Sequence, residues 1–358
     1  RIDVVTHFGP NDTPLRLEQD ADGDGRFETQ TTLENGAPAL VERDRDGDGN
    51  ADVRVSYKDG AEFQTEQDDD FDGVFEVRFA AVAGGGQEQT EDRNGDGTPD
   101  VKIVLDANGE VTRREEDRNF DGKPDLVATF VGGVARSLRQ DSNGRGCFDR
   151  EEDYDAAGAL VEIRLDENGD CKIDLWSHTS NGRTDWQAQD QRGDGKATVL
   201  TRFDAQNRPS HQELRSEGKR RPDTKLFFHT DGDVRSQCLD TDGRGGFDLR
   251  YRVSGGTVTE GLVDTNNDGV GDTRQVYSGG ALAHAEIDTD GNGRADVVQY
   301  LGGGAVIRQC EDADGDGSID QCFEGEGLAD VTEPTGVTDV SAALGKLSCG
   351  DFHPFWRR

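Results

Sequence analysis

Residues 44 to 68 read Asp44-Arg45-Asp46-Gly47-Asp48-Gly49-Asn50-Ala51-Asp52, then Val53-Arg54-Val55-Ser56-Tyr57, a turn at Lys58-Asp59-Gly60, and a return from Ala61 to Gln67 before the next acidic loop opens at Asp68. Val53, Val55 and Tyr57 alternate with polar residues, and a Gly-bearing turn follows. Period-two alternation with such a turn predicts a β-hairpin. The same reading fits Val101 to Leu105 with Asp106-Ala107-Asn108-Gly109, and Leu249 to Val253 with Ser254-Gly255-Gly256.

Working outward, acidic loops begin at Asp20, Asp44, Asp68, Asp92, Asp117, Asp141, Asp166, Asp190, Asp240, Asp264, Asp288 and Asp312, separated by 24 or 25 residues except for one double gap. A decayed copy, Arg215 to Asp223, fills that gap. The extra residue of the longer period is assigned to the turn, because Tyr154-Asp155-Ala156-Ala157-Gly158 is one longer than Tyr57-Lys58-Asp59-Gly60.

One hairpin buries too little to be stable alone and must pair with its neighbours. The expected fold is therefore all-β: tandem 24- to 25-residue hairpins stacked as a continuous antiparallel β-solenoid or spiral sheet. A β-propeller, with two hairpins per four-stranded blade, is the alternative. Residues 1–323 form the thirteen-hairpin array. Residues 324–358 form a non-repeat tail, with a short helix expected near Val340 to Leu347, that either caps the array or joins the next subunit.

Composition alone would suggest disorder, since hydrophobic residues are 31%, charged residues 32% and the net charge -35. The register of the acids with the strands argues against it. Such a charge excludes nucleic acid as a partner, and the lack of a long apolar run gives no membrane insertion. Cations are the expected partners.

A hard cation such as calcium takes six to eight oxygens, supplied by acids at loop positions 1, 3 and 5 and a carbonyl at 7, with position 9 adding another. Gly at position 6 allows the turn around the ion. Nine loops meet this pattern. Their candidate ligands are Asp20, Asp22, Asp24 and Glu28; Asp44, Asp46, Asp48 and Asp52; Asp68, Asp70, Asp72 and Glu76; Asp92, Asn94, Asp96 and Asp100; and Asp117, Asn119, Asp121 and Asp125. The remaining four sets are Asp166, Asn168, Asp170 and Asp174; Asp264, Asn266, Asp268 and Asp272; Asp288, Asp290, Asn292 and Asp296; and Asp312, Asp314, Asp316 and Asp320. About nine calcium ions are expected. Magnesium suits all-protein cages less well, because it keeps its waters.

Arg145 and Arg244 stand at position 5 of their loops, where a guanidinium either replaces the ion or marks a metal-free turn. The loops at Asp190 and Arg215 are expected to be empty.

The loops resemble those of integrin-type (FG-GAP) propellers, thrombospondin type 3 repeats, dockerins and EF-hands. A position-9 acid followed by a strand is most similar to the integrin-type loop, while the Glu that an EF-hand carries at position 12 is replaced by Thr31, Val55, Phe79 and Ile103. The hairpins resemble YD (Rhs-type) repeats at Tyr154-Asp155-Ala156-Ala157-Gly158 and Phe203-Asp204-Ala205-Gln206-Asn207. That resemblance implies a spiralled β-sheet shell or a surface protein.

Six cysteines at 147, 171, 238, 310, 322 and 349, without zinc-site spacing, favour an oxidising, extracellular or cell-surface setting. Cys310 with Cys322, Cys147 with Cys171 and Cys238 with Cys349 is the pairing favoured among those open. Free thiols are the alternative.

No catalytic triad, HExxH, phosphate loop or dinucleotide motif appears, so an enzyme is not expected. The chain begins at Arg1 within a repeat and contains no Met, which suggests a processed product. The functional expectation is an extracellular, calcium-stabilised structural protein that self-assembles head to tail into a filament or surface layer. A calcium-dependent adhesin for carbohydrate or a cell surface is the alternative.

Overall fold

The computed structural model describes residues 3–325, 327–329 and 343–357, and its chain divides into two units, Arg1–Ile173 and Asp174–Arg358. Among the described residues each unit contains seven hairpins. Thirteen loops therefore separate fourteen hairpins, one more than thirteen, because Val4–Gln19 precedes the first loop and Gln321–Ala329 follows the last.

Within each unit every strand pairs antiparallel with its neighbours in sequence, both across the hairpin turn and across the acidic loop. Val53–Lys58 pairs with Ala61–Gln67 through the turn and with Ala37–Arg43 through the loop. A propeller would break this ladder after every fourth strand. Its alternation is instead unbroken through Val101–Leu105, Val111–Glu116 and Leu126–Val131 in the first unit, and through Val199–Phe203, Pro209–Leu214 and Thr224–Phe228 in the second. The propeller alternative is thereby corrected to a meander in which the acidic loops share one edge and the turns the other.

Turn length accounts for the two periods in most repeats, the exception being the 24-residue repeat from Asp68 to Asp92, whose longer turn over 82–86 is offset by a returning strand of five residues, Gln87–Glu91. In 24-residue repeats a two-residue turn such as Asp59-Gly60, with φ of 54° and 80°, joins strands that carry a bulge at Ser56/Tyr57. In the 25-residue repeats with turns at Asp106, Asp155 and Asp204 a longer turn is closed by its first Asp, and His229 opens the fourth such turn. The amide of Asp155 donates to Ala159 O at 2.9 Å, and the carboxylate accepts the Ala157 and Ala159 amides. Those two amides hold the Asp155 carboxyl below its ordinary range.

A single-layer sheet has little interior. In the first unit the buried apolar residues among those described are few, Val53, Val55, Val101, Val127 and Ala128, and they are matched by buried Asp20, Asp52, Asp68, Asp100 and Asp125. The loops therefore carry a share of the buried contacts that a thicker protein would assign to its core.

The second unit gains an additional layer from residues 343–357. Ala343 and Lys346 form bridges with Arg294 and Val270, Leu344 packs with Leu262 and Ala295, and Phe355 and Trp356 cover Trp186, Ala188 and Leu200. Of the helix expected near Val340 to Leu347, residues 340–342 lie outside the described residues, and 343–347 is not helical: Gly345 has a φ of 91°, and the backbone bonds to the loops at 264 and 288. Residues 343–357 lie on their own chain, as the capping alternative requires. Among the described residues the three disulfides are Cys147–Cys171, Cys238–Cys349 and Cys310–Cys322, the pairing favoured from the sequence.

Candidate metal sites

Each loop is organised by its first Asp. In the loop at Asp44, the Gly47 amide donates to Asp44 Oδ1 at 2.7 Å and the Gly49 amide to Oδ2 at 2.9 Å. The loops at Asp68, Asp92, Asp117 and Asp312 repeat this arrangement. It requires positive φ at position 6, which Gly49 adopts at 99°. It also requires positive φ at position 4, a demand that the sequence reading missed although Gly or Asn fills most of those positions. Phe71 and Phe120 stand there at 64° and 62°.

Position 9 closes the loop from the other side. Asp100 Oδ2 accepts the Arg93 and Asn94 amides at 2.7 and 3.2 Å, and Glu28, Glu76, Asp125, Asp272, Asp296 and Asp320 accept the corresponding position-2 amide. The degenerate loops keep this cap too, with Asp149, Asp223, Asp248 and even the Thr198 hydroxyl in that role. A position-9 acid is thus a loop-closing residue first, and its presence alone does not mark an ion site.

Positions 3 and 5 form the exposed rim. Asp46 Oδ1 accepts the Asp48 amide at 2.9 Å and Asp48 Oδ1 the Asn50 amide at 2.7 Å, which aligns both carboxylates with the loop mouth.

Five loops bring carboxylate oxygens within 4.8 Å of one another. Asp20, Asp22, Asp24 and Glu28 converge, as do Asp68, Asp70, Asp72 and Glu76. Asp44, Asp46 and Asp48 converge without Asp52; Asp312, Asp314 and Asp316 without Asp320; and Asp288 and Asp290 do so with Asp296. At that separation two like charges cost about 1 kcal/mol in water and about 3 to 4 kcal/mol at an effective dielectric near 20. A divalent cation held between them reverses the sign of this energy.

The loops at Asp92, Asp117, Asp166 and Asp264 share Asn at position 3 and, among the described residues, form no such carboxylate cluster. In three of them the Asn amide faces an acid. Asn94 Nδ2 donates to Asp96 at 3.0 Å, Asn119 Nδ2 to Asp125 at 3.2 Å and Asn266 Nδ2 to Asp272 at 3.1 Å. The Thr98 amide, with Asn94, holds the Asp96 carboxyl below its usual range. In the loop at Asp166, the Gly169 and Cys171 amides bond the Asp166 carboxylate, Asn168 Oδ1 accepts the Asp170 amide, and Asp174 begins the second unit.

The arginine-bearing loops behave differently from one another. Arg145 reaches out to the Gly169 carbonyl of the next loop, so it does not sit as an ion surrogate in its own. Arg244 pairs with Asp242 of its own loop at 3.2 Å, and Arg192 lies 3.7 Å from Asp194. Burial works to raise the carboxyls of Asp141 and Asp190, but the loop amides outweigh it and hold both low.

No family model matches this chain, and no curated protein matches it. Among solved structures, a point mutant of S. aureus TarM in complex with Fondaparinux, alpha-GlcNAc-glycerol and UDP matches at 8% identity over 35% of this chain and 21% of that one, with a TM-score of 0.19. The TcdB2-TccC3-Cdc42 structure matches at 10% identity over 92% of this chain and 21% of that one, with a TM-score of 0.16. The Photorhabdus luminescens Tc holotoxin pore matches at 11% identity over 91% and 24%, with a TM-score of 0.15. This chain spans less than a quarter of the length of these three, and similarity at this level carries no argument about fold or function.

Proposed function

We propose that this protein is a calcium-stabilised structural array of an oxidising, extracellular setting, with loops that work in the manner of integrin-type calcium loops on hairpins of the YD kind. The observation that carries the reading is the convergence of three or four carboxylates in each of five loops whose backbone amides already engage the inner Asp. The rim acids then remain directed at the loop mouth, where an oxygen-seeking ion binds. With little apolar interior, the array draws stability from filled loops. Each loop contributes about 2.7 kcal/mol when calcium stands at a hundred times its dissociation constant.

Three disulfides among the described residues support an oxidising setting. Self-assembly into a filament or surface layer belongs to the same reading. It is tested by electron microscopy of purified protein in millimolar calcium and after chelation, with thermal unfolding followed in both. Fibres and a higher Tm in calcium are expected. Identical Tm values would overturn the calcium reading, and discrete particles in both conditions would overturn self-assembly.

A further inference from the structure

Residues 343–347 are fastened by their main chain to two acidic loops of the second unit. The Leu344 amide donates to Gly293 O at 3.0 Å, the Leu347 amide to Gly269 O at 3.1 Å, and Gly345 O accepts the Gly271 amide at 3.0 Å. Gly269 and Gly293 stand at position 6 of the loops that begin at Asp264 and Asp288. Among the described residues, no other acidic loop has its position-6 carbonyl taken by a backbone donor.

These bonds fall beside the position-7 residue, whose carbonyl a hard cation takes as a ligand. Val270 faces Lys346 and Arg294 faces Ala343 as isolated antiparallel bridges. Around Val270 the bonds run between the flanking residues, so its own N–H and C=O turn away from the tail. The Val270 amide donates to Asp268 Oδ1 at 2.8 Å, and the Arg294 amide to Asn292 Oδ1 at 2.8 Å, both on the loop side. Gly293 is held from two directions, its amide by Asp288 Oδ2 at 2.6 Å and its carbonyl by Leu344.

We infer that Ala343 and Leu344 form a calcium-dependent latch, in which an ion in the loop at Asp288 and the docked tail each stabilise the other. The inference rests on the calcium reading above, at one of the five loops whose carboxylates converge. Leu344 docks on the closed loop that brings Asp288, Asp290 and Asp296 together, because the Gly293 peptide serves both contacts. Without an ion, repulsion among those acids opposes the closed loop and the latch loses its footing. By linkage, whatever affinity the latch adds to the ion, the ion adds to the latch.

The neighbouring contacts keep the movement local. The loop at Asp264 holds Gly345 and Leu347 but forms no carboxylate cluster among the described residues, so its hold is independent of calcium. Cys349 is bonded to Cys238, and Trp356 to the buried Glu213. A segment tethered this closely stays at high effective concentration, so release is reversible. Release withdraws Leu344 from Leu262 and Ala295, with which it is buried.

Amide-resolved hydrogen exchange of the full chain over a calcium titration tests this. The Leu344 amide should exchange at least about fivefold more slowly in calcium, and Leu347 should change little. Asp290→Ala should abolish the response of Leu344. Leu344→Ala, which weakens the packing, and Gly345→Val, which opposes the φ of 91°, should each raise the calcium midpoint for protecting Gly291 and Gly293 about fivefold or more. The midpoint for Gly47 and Gly49 of the loop at Asp44 should stay put. An unmoved midpoint at Gly291 and Gly293 in both variants would overturn the coupling, as would equal shifts in the two loops or a Leu344 amide indifferent to calcium while the loops respond. Absence of calcium-dependent protection in all five loops would instead sink the calcium reading.

Discussion

The indole Nε1–H of Trp356 donates to Glu213 Oε2 at 2.7 Å, across 143 residues of sequence. Glu213 is fully buried, and it also accepts the His353 amide and pairs with Lys225 Nζ at 3.0 Å. Lys225 in turn donates to Asp351 O at 2.8 Å. A buried ion pair has a large desolvation cost and is tolerated where further hydrogen bonds satisfy it. Here the C-terminal segment provides them.

Trp356→Phe keeps an aromatic ring but removes that donor, so the second unit should lose about 2 kcal/mol, typical of a hydrogen bond to a buried charge. Hydrogen exchange of Pro209–Leu214 and Thr224–Phe228 should quicken, while the Val53–Lys58 strand stays protected. Unaltered exchange in both would show that the segment does not hold this face.

Inner and rim acids of one loop should separate in their effects. Asp68 is 1% exposed and accepts the Phe71 and Gly73 amides, so Asp68→Ala should cost about 2 to 4 kcal/mol even in chelator. Asp70→Ala, at the rim, should cost under about 1 kcal/mol in chelator yet weaken calcium at that loop about tenfold. Denaturation and calorimetry on the two variants check this, and equal losses in chelator would refute the division of labour.

Burial and the nearby Lys225 push His211 down to about 4, against the opposing pull of Glu213, with Arg202 and His353 also acting to lower it. Between that value and the ordinary 6.5 the unfolded chain takes up a proton that the folded chain refuses. The stabilisation is complete above about pH 6.5 and is lost as pH falls toward 4, on the order of 3 kcal/mol. Chelated His211→Gln should show a flatter stability profile over that interval; an unchanged slope would assign the effect elsewhere.

Phe120 holds φ at 62° while 48% exposed, at a position that Gly occupies in most other loops. A left-handed conformation costs a side-chain-bearing residue about 1 to 2 kcal/mol, partly offset by the extra freedom glycine gives the unfolded chain. Phe120→Gly should therefore stabilise the first unit by about 0.5 to 1 kcal/mol in urea unfolding. A loss would mean that the ring makes a contact worth more than the strain.

The periodic part of this protein is legible from its residues because each repeat is decided locally. Alternating Val53, Val55 and Tyr57 select a strand, Asp59-Gly60 selects a two-residue turn, and Asp44 organises the amides of its own loop without reference to distant chain. The cysteine pairing followed for the same reason, since one period places Cys147 beside Cys171 and a loop places Cys310 opposite Cys322.

Tertiary structure decided what depends on orientation or on distant segments. The direction of Arg145, the split between clustered loops and those with Asn at position 3, and the capping role that Thr198 shares with Asp100 all turn on where a side chain points, which residue type does not encode. Glu213 reads in sequence as one more strand glutamate like Glu42 or Glu66. It becomes the anchor of residues 353–356 only because the folded sheet brings Lys225 and Trp356 to it, and the energy of a buried charge is set by its surroundings rather than by its neighbours along the chain.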